Sequence, residues 1–181
     1  MLLRAVRPSD AAALRTFFSG LSAATRYRRF HGWFKDLPET MVQRMTQLDP
    51  GRELVLLALM IGAGQQICVG EARCVAGDGP ATVREIGVVV EDAWQGIGIG
   101  TAMLRSLARQ AKAQGVEQLV GDAMWENVAM IKLAKRLGCA VRIHPQDARL
   151  VQMMRDLRDV GNQGNERALV RGRTASTNWS P

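Results

Sequence analysis

The sequence contains few residues of the kinds that mark metal-binding or disulfide-linked proteins. It has only three cysteines and two histidines among its 181 residues. Cys68, Cys74 and Cys139 lack the CxxC spacing of a zinc or dithiol site, and they lie in apolar surroundings. His31 and His144 are too few and too far apart in sequence to suggest a metal cluster. We therefore expect ordinary core cysteines and no metal.

Long hydrophobic runs are also missing. The longest, LVLLALMI at 54–61, is far shorter than the roughly 20 residues that a membrane-spanning helix needs. The first ten residues carry Arg4 and Arg7 where a signal peptide would have an apolar segment. These features predict a cytoplasmic protein without a membrane partner.

The charge balance is strongly basic, with a net charge of +7 and a sequence pI near 10.1. Such a balance favours an anionic partner, and nucleic acid, an acidic protein and a polyphosphate ligand all qualify. The basic residues are scattered along the chain, so most are expected on solvated faces. Nucleic acid is the partner we expect least.

A content of 47% hydrophobic and 23% charged residues suits one globular domain. Apolar periodicity and turn residues predict the order β, α, α, three antiparallel strands, α, β, α, β, β. This order indicates an α+β domain at 1–160, with a mixed, mostly antiparallel sheet flanked by helices. The polar, aperiodic segment 161–181 is predicted to be a flexible tail.

Four local predictions concern the first half of the domain. Pro8 should end the opening strand, and Ser9 or Asp10 should cap the first helix. The arginine-rich segment 21–34 should form an irregular connection. A second helix should begin near Pro38 and end before Gly51.

The segment QGIGIGT, Gln95 to Thr101, follows an apolar strand and precedes an amphipathic helix. Its glycines, Gly96, Gly98 and Gly100, allow a ligand to approach the backbone more closely than a Cβ would permit. The free N–H groups of the next helical turn suit an anion, and a pyrophosphate is a frequent ligand of such turns. A tight turn without a ligand is the alternative.

Two common phosphate-binding motifs fit this segment poorly. The NTPase loop requires a lysine after its glycines, and none is present. The dinucleotide fingerprint requires a third glycine where Thr101 stands, although Asp122 ends the next strand about where a ribose-binding acid would lie. Five residues, EDAWQ, separate Val90 from Gly96, whereas the fingerprint follows its strand almost directly.

The stretches VVVEDAWQGIGIGTAML and ENVAMIKLAKRLGCAV together resemble the acyl-CoA-binding segment and following helix of the GCN5-related N-acetyltransferases, the GNAT family. LSAATRYRRFHG, LDPGRELVLLAL and EIGVVVEDAWQGIGIG are similar to the acetyltransferase domain of bacterial Pat-type protein-lysine acetyltransferases. The resemblance covers roughly 2–157. It implies the GNAT fold, with acetyl-CoA as co-substrate.

The resemblance also implies roles for particular residues. Backbone groups of Val88 and Val90 would bind the pantetheine arm and polarise the thioester carbonyl, and Asn127 would contact the cofactor arm. The pyrophosphate would lie against seven consecutive residues: Gln95, Gly96, Ile97, Gly98, Ile99, Gly100 and Thr101. The sequence departs from the family at Ile97, where relatives often carry a basic residue, and in having no tyrosine after Asn127 to act as general acid.

Glu85 matches the strand glutamate that serves as general base in Pat-type enzymes. Strand alternation places Glu85, Gly87 and Val89 on one face. Without the resemblance, a solvent-facing position or a pair with Arg84 or Arg73 would explain this acid. Asn127 has a similar alternative, because helix capping also explains an asparagine at that position.

These features predict an N-acetyltransferase that moves acetyl from acetyl-CoA to a primary amine by direct attack in a ternary complex. Protein lysine is the expected acceptor, and a small-molecule amine is the alternative. A protein acceptor predicts an open, shallow face, whereas a small amine predicts an enclosed acidic pocket. A non-catalytic acyl-CoA sensor is the rival from another class. The assembly is expected to be a monomer or a homodimer.

Overall fold

The computed structural model describes residues 1–30, 38–62 and 64–158. The predicted tail at 161–181 and His31 lie outside the described residues. Within these ranges the strands and helices follow in the order β1 (Leu2–Ala5), α1 (Ala11–Gly20), α2 (Ala23–Phe30), α3 (Glu39–Thr46), β2 (Glu53–Gly62), β3 (Gln65–Ala76), β4 (Val83–Val90), α4 (Ile99–Ala113), β5 (Gln118–Met124), α5 (Val128–Arg136), β6 (Ala140–Ile143) and β7 (Leu150–Asp156).

The strands form one sheet of seven in the order β1-β2-β3-β4-β5-β7-β6. All neighbouring strands are antiparallel except β4 and β5, which are parallel. The predicted meander of three strands is present as β2, β3 and β4. The α+β class and the mixed, mostly antiparallel sheet are therefore confirmed.

Each face of the sheet carries its own hydrophobic cluster. On one face, Met103, Leu104 and Leu107 of α4 pack on alternate residues of β2 and β3, including Leu56 and Val69. The opposite face holds α1 and α3, whose Leu14, Phe18 and Val42 pack on Val55 and Leu57 of β2. Alternation along β2 thus supplies both clusters, which explains why this strand is apolar throughout.

The cysteines behave as the sequence predicts. Cys68 and Cys74 are buried and Cys139 is partly buried. Burial raises the pKa of the Cys68 thiol to about 12 and that of the Cys74 thiol to about 11. A thiol with so high a pKa is a poor nucleophile at neutral pH, so these residues act as small core side chains.

Two of the local predictions were wrong. The segment 21–34 was expected to be irregular, but its first part forms α2. Asp10 does occupy the position before α1, yet its carboxylate does not cap the helix. Instead it accepts hydrogen bonds from Arg4 at 2.6 and 2.7 Å and from the Arg7 N–H at 2.7 Å. A charged partner six residues earlier competes successfully with the helix terminus.

The parallel pairing of β4 with β5 is short. It runs only from Val83–Gln118 to Glu85–Val120, after which β5 continues to Met124 alongside β7. The strands part at Ile86, where Gly121 lies so close that an added Cβ would be 2.9 Å from the Ile86 carbonyl oxygen. Glycine at position 121 therefore permits the close approach of β5 to the Ile86 carbonyl, at the point where the two strands begin to diverge.

We expect Gly121→Ala to destabilise the protein by about 1–3 kcal/mol, because a methyl group against a backbone carbonyl forces one strand to shift. Urea unfolding measures the change. Gly20→Ala is the matched control, since an added Cβ there meets nothing within 4 Å. Equal stability of the two variants would show that the Gly121 contact does not constrain the sheet.

Candidate active site

Alternation along β4 sorts its side chains between two environments. Ile86, Val88 and Val90 pack against the α4 cluster, whereas Val89 packs with α1 and α3. Glu85 and Gly87 share the face of Val89, as the sequence predicts. The strand thus presents an apolar side to α4 and a polar group to the opposite face.

The backbone groups of Val88 and Val90 face the gap between β4 and β5. The Glu91 N–H donates to the Val69 carbonyl at 2.9 Å, which sets the alternation of the β3–β4 ladder. By that alternation, odd-numbered residues of β4 bond to β3 and even-numbered residues point the other way. Beyond Glu85 no β5 residue is paired with them. Their N–H and C=O groups therefore line the opening.

The Gln95 side chain turns back to the end of β4. Its Nε2 donates to the Val90 carbonyl at 2.9 Å and lies 3.5 Å from the Thr25 hydroxyl. The amide thus satisfies one of the strand's free acceptors and attaches the loop to α2. The N–H and C=O of Val88 and the N–H of Val90 are then the backbone groups in the gap that are left for a ligand.

The glycine segment has the conformation that its sequence suggests. Gly96 and Gly98 have φ values of +80° and +96°, where other residues are strained. Gly100 is helical, and an added Cβ would lie 3.3 Å from Leu133 of α5. The first two glycines thus serve the turn and the third serves helix packing.

The N-terminus of α4 offers free backbone donors. Its first intrahelical hydrogen bond runs from the Ala102 N–H to the Gly98 carbonyl at 3.0 Å. The N–H groups of Ile99, Gly100 and Thr101 precede that bond. The N-cap residue is Gly98, and no side-chain capping hydrogen bond is present at this helix end in the described structure. Ile97 is 67% exposed beside them. Such an uncapped first turn binds anions through its N–H groups and the helix dipole.

The five-residue spacer before the glycines has a structural role. Asp92 accepts hydrogen bonds from the Ser22 N–H at 2.9 Å and from the hydroxyls of Ser22 and Thr25 at 2.8 and 2.7 Å. Partial burial acts to raise the pKa of Asp92, but these hydrogen bonds lower it below its usual value. Asp92 therefore holds the start of α2 against the loop that precedes α4.

Asn127 is the cap of α5, because its Oδ1 accepts a hydrogen bond from the Met130 N–H at 3.2 Å. The capping alternative raised by the sequence is therefore present in the structure. A contact of Asn127 with the cofactor arm stays a prediction.

Glu85 is exposed on β4, and neither arginine suggested by the sequence pairs with it. Arg84 is buried and donates to Gln114 and to the Gly51 carbonyl. Arg73 donates to Glu71 and to the Met45 carbonyl. Glu85 is thus the one acid of β4 and has no ion-pair partner among the described residues.

A family model and two relatives with similar sequences all point to acetyltransferases. The model of the acetyltransferase (GNAT) domain matches residues 1–140. Acetyltransferase PA5475 from Pseudomonas aeruginosa is 29% identical over 150 residues, which cover 82% of this chain and 79% of that protein. Acetyltransferase Pat from Mycolicibacterium smegmatis is 29% identical over 136 residues, covering 75% of this chain but only 40% of Pat.

A solved structure shows the same arrangement. The GNAT domain of Streptomyces lividans PAT superposes with a TM-score of 0.77 at 25% identity, covering 85% of this chain and 89% of that one.

The chain belongs to the GNAT acetyltransferase family. As the resemblance in its sequence implied, this GNAT protein is an acyl-CoA-dependent N-acetyltransferase, and acetyl-CoA is its co-substrate. No helix of the described residues is long and apolar enough to cross a membrane. In the same ranges no group of three or more histidine, cysteine, aspartate or glutamate side chains is placed to hold a metal ion.

Sequence reasoning missed the charged centre of this GNAT domain. Glu71 of β3 is fully buried, with Arg29 Nη2 at 3.2 Å from its Oε2 and Arg73 Nε at 3.0 Å from its Oε1. Burial acts to raise the pKa of Glu71, but the charges and hydrogen bonds of Arg29 and Arg73 lower it below its usual value. Arg29 lies in α2, 42 residues before Glu71 in β3, so spacing gave no sign of this cluster.

The same cluster reaches the proposed active face. The Arg29 guanidinium lies over Gly87, where an added Cβ would be 3.0 Å from the guanidinium carbon. Gly87 stands between Glu85 and Val89 on that face of β4. A side chain at 87 would displace Arg29, so this glycine joins the charged cluster to the strand that carries Glu85.

We expect Glu71→Gln to lower the free energy of unfolding at pH 7 by about 3–5 kcal/mol, because it leaves the partly buried Arg29 and Arg73 without their counter-charge. Glu85→Gln is the matched control, with an expected change within about 0.5 kcal/mol. Urea unfolding measures both changes.

The pH dependence tests the cause. Because the pKa of Glu71 is lowered in the folded state, its stabilisation is full above the unfolded value of about 4.3 and is lost as pH falls through the folded value. The stability difference between wild type and Glu71→Gln should therefore shrink below about pH 4.3. A difference that stays constant down to acid unfolding contradicts this assignment.

Proposed function

We propose that this GNAT domain transfers acetyl from acetyl-CoA to the ε-amine of protein lysine by direct attack in a ternary complex in the cytoplasm. The divergence of β4 from β5 carries the proposal. It leaves backbone groups of Val88 and Val90 free beside the N-terminus of α4, with Glu85 on the adjoining strand face. These are the parts that the transfer of an acyl group from a thioester needs.

Each part has a task in the reaction. The segment Gln95 to Thr101, which ends in the first turn of α4, holds the pyrophosphate. The free N–H groups of Val88 and Val90 hold the pantetheine arm and polarise the thioester carbonyl, and Asn127 borders the arm. Backbone donors suit the carbonyl because they are fixed before the substrate arrives and cost no reorganisation.

Glu85 removes a proton from the acceptor ammonium, so that the neutral amine attacks the thioester carbon. A C–N bond forms, the nitrogen releases its second proton to solvent water, the C–S bond breaks, and the departing thiolate takes a proton from water. Reference pKa values of a lysine and a glutamate differ by about six units, so direct transfer to Glu85 costs on the order of 8 kcal/mol. The exposed position of Glu85 supports onward release of the proton to solvent water.

The exposure of Glu85 also supports a protein acceptor. A lysine side chain on a folded partner reaches only a base that lies at an accessible surface, whereas an enclosed base admits only small amines. The similarity to Pat-type acetyltransferases supports the same acceptor class.

The test supplies the protein with labelled acetyl-CoA, a cell lysate and a panel of small amines that includes polyamines. We expect the label on protein lysines, located by mass spectrometry. Label confined to the small amines would overturn the protein-lysine assignment, and no transfer to any amine would favour a non-catalytic acyl-CoA sensor.

Glu85→Gln is expected to lower kcat by about 10²–10⁴-fold, the usual contribution of a general base. The KM for acetyl-CoA should change little, because Glu85 is not among the groups that hold the cofactor. Glu117→Gln, which alters an exposed acid just before β5, is the control and should leave turnover unchanged. Undiminished turnover of Glu85→Gln would show that the base lies elsewhere.

A further inference from the structure

A cavity of about 220 Å³ lies beside Glu85, on the face of the sheet opposite α4. Its walls are Val83 and Glu85 of β4, Val120 and Asp122 of β5, and the β3–β4 turn. Both of its charged side chains are carboxylates. The cavity is open to solvent and adjoins the exposed Glu85, so it lies on the path of an acceptor that approaches this base.

The divergence of the two strands exposes Asp122 on this face. Glu85 pairs with Val120, and Asp122 is the next residue of β5 on the same face. Continued pairing would have set Asp122 against Gly87, but the strands have parted there. On its other edge β5 stays paired, with Asp122 opposite Gln152 of β7. The strand geometry thus places a second carboxylate across the opening from Glu85.

The two oxygens of Asp122 have different surroundings. Oδ2 lies 3.6 Å from His144 Nε2, an ion-pair distance. His144 Nδ1 accepts a hydrogen bond from the Gln146 N–H at 3.2 Å. The proton of a neutral imidazole therefore lies on Nε2, the nitrogen nearer Asp122, and a charged imidazole also carries one there. Either form of His144 attracts Oδ2.

The other oxygen lacks a partner. Asp122 Oδ1 is buried and has no hydrogen bond to any described residue. Leaving a buried carboxylate oxygen unpaired is costly, and such groups in native proteins normally meet a ligand, an ion or water. The Asp122 side chain as a whole is 30% exposed and lines the open cavity beside the proposed base, and rotation about its broad terminal torsion brings Oδ1 to a donor from the substrate.

We propose that Asp122, oriented by His144, binds the ammonium group of the acceptor and directs it toward Glu85. This inference rests on the proposed function. An alkylammonium ion carries three N–H donors, so one can bond to Asp122 while another faces Glu85, which takes the proton. Asp122 is then a substrate-binding residue, and His144 is a positioning residue that acts through it.

The kinetic test uses Nα-acetyl-lysine amide, whose single amine is the ε-amine, as acceptor. Asp122→Asn keeps the shape of the side chain and removes its charge. We expect the KM for this acceptor to rise about 10–100-fold, with kcat within about 3-fold and the KM for acetyl-CoA unchanged. His144→Leu should raise the acceptor KM less, by about 3-fold.

Asp156→Asn is the matched control, because Asp156 lies on the same sheet in β7 and pairs only with Arg158 in the described contacts. It should leave both KM values unchanged. The unchanged KM for acetyl-CoA also shows that Asp122→Asn is folded. An unaltered acceptor KM in Asp122→Asn, with the fold intact, overturns the proposal.

A binding measurement separates this inference from the proposed function. Titration of the wild-type protein with n-butylammonium should shift the NMR signals of the His144 imidazole and the Asp122 amide, and Asp122→Asn should abolish the shift. Binding without turnover of any amine would retain the ammonium site and refute the acetyltransferase proposal. Absence of the shift in the wild-type protein would refute the site.

Discussion

The parallel pairing between β4 and β5 stops after Glu85 and Val120, and the functional parts of the domain depend on that stop. The backbone N–H and C=O groups of a strand inside a sheet normally form hydrogen bonds with both neighbouring strands. In β4, the backbone groups of the even-numbered residues beyond Ile86 face β5 but have no β5 residue paired with them. The same divergence that frees Val88 and Val90 also uncovers Asp122 on the opposite strand, so one geometric feature shapes both the proposed thioester side and the proposed acceptor side.

Two polar arrangements hold this opening in place. Asp92 attaches α2 to the loop after β4. The Gln95 side chain donates a hydrogen bond to the Val90 carbonyl and also lies beside the Thr25 hydroxyl. Further along α2, Arg29 contacts Glu71 and its guanidinium lies over Gly87. Helix α2 thus touches the end of β4 and its middle. Phe30 packs on Phe18 of α1, but the helix is otherwise mostly polar, so these polar contacts contribute to positioning it.

Much of the fold was predictable because the periodicity of the sequence is local. The meander, α4 with its glycine stop, and the last strands all follow from apolar spacing and turn residues. The helix α2 was missed because it is short and mostly polar, with an apolar face of only Ala23, Tyr27 and Phe30 beside three arginines. Its N-terminus is stabilised by Asp92, 70 residues from Ser22, which no local pattern can show.

The site was predictable to a similar degree. Gly96 and Gly98 carry their own signal, since alternate glycines before a helix indicate positive φ values. Glu85 stood out as an acid among apolar residues. Glu71, Arg29 and His144 gave no signal, because the fold brings Arg29 to Glu71 from 42 residues away and His144 to Asp122 from another strand connection. Asp122 drew notice only as a possible ribose ligand, a role that the antiparallel meander before the glycines argued against.

Hydrogen–deuterium exchange of the full chain, with and without acetyl-CoA, tests the central claim most directly. At concentrations of acetyl-CoA that saturate turnover, peptides covering 88–90 and 96–101 should exchange more slowly, because their free N–H groups become bonded to the ligand. Peptides from 53–62 should not change, since β2 already has neighbours on both sides. Unchanged exchange at 88–90 and 96–101 would contradict the assignment of the opening between β4 and β5 as the acyl-CoA site.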